Sequence, residues 1–304
     1  MNDLSEVSRE KLAEFDFQAE RRTGVGGSDS PILAGLSPYG TPFSLYLEKR
    51  GDTPPSFDPD NRYTRAGRAF ESVIAHMYSE ETGLKLRRNN RTLRHPDMPW
   101  LMGHIDREIV GQRKGLEIKN VSPQIGYRWG RSGDPDGVPE YYLPQVHHYL
   151  LVTGLPAWDV AAYFGGADLR IYTIERDPEW DDIIAANATR FWHEHVIAGV
   201  PPEIDPTHPT TLPLLARLYP GTDGTTIDAD DGLRAWARVA REAGEKSSEY
   251  DSIAKTARAH LLHAMGASAV LRFGDGTVFR RKEVKRKGYE VAESVYVDAR
   301  FGKE

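Results

Sequence analysis

The sequence predicts an α/β fold: a mixed central β-sheet flanked by helices, with a helical and small β C-terminal appendage. Three observations lead there. Runs near residues 91–94, 100–110, 115–121, 157–164 and 169–175 read as strands. Segments near 141–153 and 178–198 read as helices. Their order is strand, strand, strand, helix, strand, strand, helix, which suits one sheet with helices laid on it.

Taken in chain order, the first feature is Arg21-Arg22-Thr23-Gly24-Val25-Gly26-Gly27-Ser28-Asp29-Ser30. No Gly-Lys-Ser/Thr follows, so it is not an ATPase-type phosphate loop. Ser28 or Asp29 is placed to cap a helix starting near Ser30. Free N–H groups at a helix start, with an arginine nearby, can hold an anion. Residues 52–60 (D-T-P-P-S-F-D-P-D) read as a surface loop. Residues 65–80 read as a helix with Ala66, Phe70, Val73, Ile74 and Met77 on one stripe. Glu71 shares a face there with Ile74, Ala75 and Tyr78. A carboxylate beside apolar residues is costly to bury without a metal, a water or a base.

The stretch Gly103 to Lys119, G-H-I-D-R-E-I-V-G-Q-R-K-G-L-E-I-K, then reads as two strands joined by the turn 111–115. Alternate strand residues share a face, so Glu117 and Lys119 project together with Ile118 turned to the core between them. If the runs pair as a hairpin, Asp106 reaches the same end of the sheet. Two carboxylates and an ammonium at one spot suit a hard divalent cation and water attack on a phosphate. An exposed hairpin of mixed charge would carry the same letters. On the helix near 141–153, Gln145 and Tyr149 lie four apart and share a face, where an amide can donate to a water or a phosphate oxygen. Pro144 leaves the start of that helix open. Pro201 to Pro206 closes the first unit, so the expected division is a core at 1–205 and an appendage at 206–304. The appendage reads as a long helix from Asp230 to Met265, then a small β element over Ser268 to Val297 with a turn at Gly274-Asp275-Gly276.

Composition narrows the chemistry. The 304 residues are 39% hydrophobic and 28% charged, ordinary for a globular chain. There is no cysteine, which excludes disulfides, thiolate zinc sites and cysteine nucleophiles. No apolar run approaches a membrane span, and the polar start M-N-D-L-S-E is no signal peptide, so a cytoplasmic protein is expected. The net charge of −6 does not advertise nucleic-acid binding, but local patches decide that matter. One patch is Lys85, Arg87, Arg88, Arg91 and Arg94; the other spans Arg280 to Lys287 with only Glu283 opposing it. His193 and His195 lie two apart on different helix faces, and His260 and His263 stand alone. Trp100 and Tyr127-Arg128-Trp129 can stack on bases, although single aromatics more often belong to a core or rim.

Five motifs occur in one order: R-x-G-x-G-G-S-D, G-R-A-F-E, G-H-I-D, L-E-I-K and Q-V-x-x-Y. This order resembles the lambda-exonuclease/YqaJ viral recombinase family, within the PD-(D/E)XK nuclease superfamily. The resemblance covers about residues 18 to 200, and V-K-R-K-G-Y-E-V at 284–291 looks like the end of longer YqaJ-type members. It implies a restriction-endonuclease-like core and a Mg²⁺-dependent deoxyribonuclease, with Mn²⁺ able to substitute. By resemblance, Asp106, Glu117 and the Ile118 carbonyl ligate the metal and Lys119 activates or positions the water. Glu71 and Gln145 complete the site, and Arg22 and Ser28 match positions holding a 5′-phosphate. His104 and Tyr149 are further candidates for DNA contact. Two departures stand out. His147 replaces the second glutamine of the usual Q-V-Q, and His104 stands where relatives carry a serine. The resemblance further implies digestion of duplex DNA ends, 5′ to 3′, a ring-shaped homo-oligomer and a single-strand annealing partner. A related endonuclease, an exonuclease of other polarity, and a non-catalytic DNA-binding protein are the alternatives.

Overall fold

The computed structural model describes residues 19–52, 62–280 and 282. The chain forms two compact units, residues 1–218 and 219–304.

In the first unit a 3-10 turn, Gly27–Asp29, leads into the short helix α1 (Ser30–Leu33). Helix α2 (Pro42–Arg50) starts at Thr41, which exchanges hydrogen bonds with Ser44, and stops at Gly51, whose φ of +78° suits a residue without Cβ. Helix α3 (Arg62–Thr82) leads into strands β1 (Leu86–Arg87), β2 (Leu93–Arg94), β3 (Met102–Gly103), β4 (Arg107–Ile109) and β5 (Lys114–Asn120). Helix α4 (Leu143–Thr153), strands β6 (Ala157–Tyr163) and β7 (Leu169–Glu175), and helix α5 (Pro178–Arg190) follow. A π-helical stretch, Phe191–Ile197, and helix α6 (Thr211–Leu218) complete the unit.

The central sheet has the order β1-β4-β5-β6-β7. Only β5 and β6 run parallel, joined by a connection that contains α4. The mixed sheet flanked by helices is the one expected. Helix α3 covers one face through Ile74, Tyr78, Ile109, Leu116 and Ala161. Helix α4 covers the other through Val146, Tyr149, Leu150, Trp158, Val160 and Tyr172. A third cluster gathers Val25, Leu45, Leu101, Leu151, Ile184 and Phe191. Strand alternation assigns the faces. On β5, Leu116 and Ile118 turn to α3, whereas Glu117 and Lys119 turn to α4. Gly115 permits this packing, since a Cβ there would sit 2.3 Å from the buried Trp158 ring.

Several details depart from the sequence reading. The α3 stripe is rotated: Ile74, Ala75 and Tyr78 are buried, while Phe70 and Val73 lie exposed. The buried face is therefore the one that carries Glu71. The 100–110 run is not one strand, because the chain bends at His104–Asp106 between β3 and β4. The runs at 91–94 and 102–103 form a separate ribbon, β2 with β3. Strand β1 has too short an apolar run to signal itself. Helix 178–198 is interrupted by the π-helical stretch. The 52–60 loop beyond Asp52 lies outside the described residues.

The second unit consists of helix α7 (Asp231–Met265) and the antiparallel pair β8 (Val270–Arg272) and β9 (Val278–Arg280). Asp230 caps α7 by accepting from the Leu233 N–H at 2.8 Å. The 274–276 turn falls where the sequence places it, with Gly276 at φ +85°. Of the basic run 280–287, Arg281 and residues 283–287 lie outside the described residues. Among the described residues no helix is long and apolar enough to cross a membrane.

Candidate active site

The β4–β5 pairing builds the centre. Arg107 pairs with Leu116 and Glu108 with Gly115, so the next position brings Asp106 opposite Glu117. Asp106 is not in β4 but in the bend before it. Its Oδ2 accepts from the Ile118 N–H at 2.8 Å, which turns the carboxylate across the strand end. Glu117 is buried. Its Oε1 takes the Lys119 ammonium at 2.6 Å and the Gln145 amide at 2.9 Å. Gln145 in turn accepts from Lys119 Nζ at 2.8 Å and donates to the Tyr149 hydroxyl at 3.0 Å. Helix α4 thus fixes both the strand carboxylate and the strand ammonium. Pro144 falls in its first turn, where the missing N–H costs nothing.

Electrostatics mark this as a place short of positive charge. Burial raises the Asp106 carboxyl well above its usual range, and the nearby Glu117 charge raises it further. The Ile118 N–H and Lys119 pull it down, and Glu71 adds to the rise. Burial beside Glu117 and Asp106 likewise drives the Tyr149 phenol well up, so it remains a neutral donor and acceptor. Among the described residues, Asp106 Oδ1 and Glu117 Oε2 receive no hydrogen bond. No group of three His, Asp or Glu side chains with metal-binding spacing occurs among them. Two carboxylates with free oxygens, plus a backbone carbonyl at Ile118, nonetheless fit Mg²⁺, which habitually takes one or two carboxylates and fills its remaining positions with water and phosphate.

Glu71 reaches this centre through a residue the sequence reading passed over. Arg107 is buried and donates to Glu71 Oε1 at 2.5 Å and to the Asp106 carbonyl at 2.6 Å. Its signal was its place directly after Asp106. A second buried carboxylate, Asp159, was also missed. It accepts from Tyr78 Oη at 2.6 Å and Thr173 Oγ1 at 2.7 Å, with Lys114 Nζ at 3.2 Å, which makes it a joint between α3, β5 and β7.

The glycine-rich segment lies beside Tyr149. A Cβ on Gly27 would meet that ring at 2.5 Å, and one on Gly103 would meet it at 3.2 Å, so two glycines clamp the phenol. The resemblance pairs Arg22 with Ser28, but the arginine side chain next to Ser28 is its neighbour. The arginine beside Ser28 is Arg21, whose Nη2 stands 3.4 Å from Ser28 Oγ and 3.4 Å from Asp29 Oδ1. Arg22 is exposed and turns instead toward Gly51. Arg21 is the last helical residue before the turn at Arg22–Thr23, and the chain then bends back through Val25, which brings Ser28 under Arg21. Asp29 does not cap α1. Its carboxylate turns back to accept from the Gly26 N–H at 2.7 Å and pairs with buried Lys49 at 2.6 Å. Ser28 is exposed.

His104 sits at the edge of the site, its Nε2 2.9 Å from Thr92 Oγ1 and 3.7 Å from Glu20. Burial lowers its pKa against the pull of Glu20. His147 faces away, stacked on Trp180 at 5.0 Å, so the position that departs from Q-V-Q does not line the centre. Trp100 packs edge-on against His193, and Trp129 is buried; neither offers a free face to a base.

Residues 16–156 match the YqaJ-like viral recombinase domain. The uncharacterized protein YqaJ of Bacillus subtilis (strain 168) is 33% identical over 265 residues, which is 86% of this chain and 79% of that one. The chain belongs to the YqaJ-like viral recombinase family. Among solved structures, LHK-Exo in complex with dAMP is similar with a TM-score of 0.50 and 19% identity, over 61% of this chain and 93% of that one. LHK-Exo is an alkaline exonuclease from Laribacter hongkongensis, and a second structure of it is similar with a TM-score of 0.49.

Proposed function

We propose that this chain is a Mg²⁺-dependent deoxyribonuclease that digests duplex DNA from its ends, 5′ to 3′, leaving 3′ single strands for phage-type homologous recombination. The observation that carries the reading is the convergence of Asp106, Glu117 and Lys119 at one end of the β4–β5 pair, under Gln145. The family's viral-recombinase description and the exonuclease activity in the name of LHK-Exo support it.

Asp106 Oδ1, Glu117 Oε2 and the Ile118 carbonyl are the oxygens that would hold the cation. When bound, Mg²⁺ supplies Lewis-acid stabilisation of charge on a phosphate and makes coordinated water more acidic, and Mn²⁺ can serve in its place. The protein's own groups do the rest. Lys119 carries a proton-rich point charge to the attacked phosphate, where charge develops. Gln145 holds Lys119 and Glu117 in one geometry and keeps the ammonium from swinging away. Glu71, tied down by Arg107, keeps the β4 bend in place. Arg21 and Ser28 form a polar edge suited to a terminal phosphate. The same reading includes a ring of identical subunits around DNA and a single-strand annealing partner.

The test is digestion of linear duplexes labelled at the 5′ or the 3′ end, with and without a 5′-phosphate, beside a covalently closed circle. The reading expects early loss of the 5′ label, faster digestion of phosphorylated ends, an intact circle and full inhibition by a chelator. Cleavage of the circle would make the chain an endonuclease. Binding without any digestion would leave it a DNA-binding recombination protein.

A further inference from the structure

Lys119 has a second side. Its Nζ lies 5.0 Å from the centroid of the Tyr142 ring. Tyr142 meets Tyr141 at 4.2 Å and rests on the buried Trp129 at 5.2 Å. Trp129 ends the stretch Tyr127-Arg128-Trp129, which follows β5 on the 3-10 turn Pro123–Arg128. Core packing holds Trp129, and the two residues before it point outward. Tyr127 is 77% exposed, with Arg128 Nε 3.3 Å from its hydroxyl and the guanidinium 5.7 Å from its ring. Tyr39, 69% exposed, lies between α1 and α2, within electrostatic reach of Tyr141, Tyr142 and Arg128. Four tyrosines and an arginine thus form a patch that begins at the ammonium of the candidate active site.

We propose that Tyr39, Tyr127 and Tyr141, with Arg128 and braced from beneath by Tyr142, are a stacking platform that holds unpaired nucleobases of the DNA strand entering the site. This rests on the nuclease reading above. The occupant follows from three physical points. A tyrosine ring offers a flat face that stacks on any base, so the platform is indifferent to sequence, as an enzyme digesting arbitrary DNA requires. Inside a duplex each base already has neighbours on both faces and an end pair bares only one, so successive free faces exist only where pairing has ended. Arg128 adds a cation that stacks on rings and attracts the backbone phosphates of the same strand.

The experiment measures affinity of the full chain for oligothymidylate and for a blunt duplex, both in chelator so that nothing is cut. Tyr39→Ala and Tyr127→Ala should each weaken oligothymidylate binding ~tenfold, with blunt-duplex affinity changing far less. Tyr127→Phe should bind as the intact protein does, while Tyr127→Leu, apolar but not planar, should behave as the alanine variant. Both tyrosines are exposed, so these variants should fold, and thermal unfolding checks that they do. Unchanged oligothymidylate affinity in Tyr39→Ala/Tyr127→Ala would overturn the platform. So would an altered oligomeric mass with unchanged single-strand affinity, which would make this face a subunit contact. A separate arm follows digestion of linear duplex by the intact chain in Mg²⁺. Failure there sinks the nuclease reading, whereas the binding arm alone judges the platform.

Discussion

At the scale of single residues, Lys119 has the most demanding position, because it touches Glu117, Gln145 and the Tyr142 ring at once. Under the proposed role, stabilising charge in the transition state, its loss should appear in rate and not in binding. Lys119→Ala should cut single-turnover cleavage by about two or more orders of magnitude, with DNA affinity changed much less. Affinity falling in step with rate would make Lys119 a binding residue. Asp106→Ala should abolish cleavage in a folded protein, since it removes one of two carboxylates with a free oxygen; full activity would end the metal assignment. A second comparison separates two adjacent arginines. Arg21 stands beside Ser28 whereas Arg22 faces Gly51. Arg21→Ala should therefore erase any preference for 5′-phosphorylated ends, and Arg22→Ala should leave it. Digestion rates on paired phosphorylated and hydroxyl substrates decide, and the reverse pattern would place the phosphate at Arg22.

At the scale of elements, the sequence was most legible where a period runs for a full element. Strand β7, helix α4 and helix α7 fall within a few residues of where their patterns put them, and β5 alternation separates Ile118 from Glu117 and Lys119. The convergence of those two with Asp106 was readable because hairpin register needs only the turn and the alternation. Contacts between distant elements were not readable. Arg107 on Glu71 and Asp159 on Tyr78 join residues far apart in sequence, and a single charged letter carries no sign of its partner. The choice of Arg21 over Arg22 likewise depends on where the helix ends and the chain bends back through Val25. His148 shows what such joints do for stability. It is buried, accepts from Ser30 Oγ at 2.7 Å, and donates Nε2–H to the Met102 carbonyl at 2.8 Å, linking α4 to α1 and β3. A carbonyl only accepts, so Nε2 carries the proton. Burial lowers its pKa to about 4, while an unfolded histidine titrates near ~6.5. Between those values the unfolded chain binds more protons, so this contribution is complete above the upper value and is lost as pH falls toward the lower one. Denaturant unfolding at several pH values should show a steeper acid loss in the intact protein than in His148→Gln, by up to about 1.4 kcal/mol per pH unit. Parallel slopes would mean that His148 does not titrate there.

At the scale of the whole molecule, the proposed nuclease must hold a polyanion while carrying a net charge of −6. Long-range attraction does not help it, so affinity must come from local cations that displace counterions from the DNA. The patch at 85–94 is partly spent on the protein itself. Arg87 donates to Glu108 at 2.9 Å, Arg88 stands 4.0 Å from Glu71, and Arg94 donates to the Pro99 carbonyl at 2.7 Å and to Thr23 at 2.6 Å. A cation already paired releases fewer counterions when a phosphate arrives. That leaves the run from Arg280 to Lys287, where six bases face Glu283 alone, as the denser store of charge in the sequence. Such bases repel one another unless phosphates lie near, and DNA supplies them. Replacing Arg280, Lys285 and Lys287 with alanine should flatten the dependence of log affinity on log salt by roughly one unit per lost phosphate contact. Because every candidate catalytic side chain lies before residue 150, single-turnover cleavage at saturating DNA should stay nearly unchanged in the same variant. The measurement is a salt series of duplex affinity for both proteins, taken without Mg²⁺ so that the DNA stays whole. Superimposable slopes would take these bases off the DNA, and the counterion release would then have to come from the first unit despite its internal pairing.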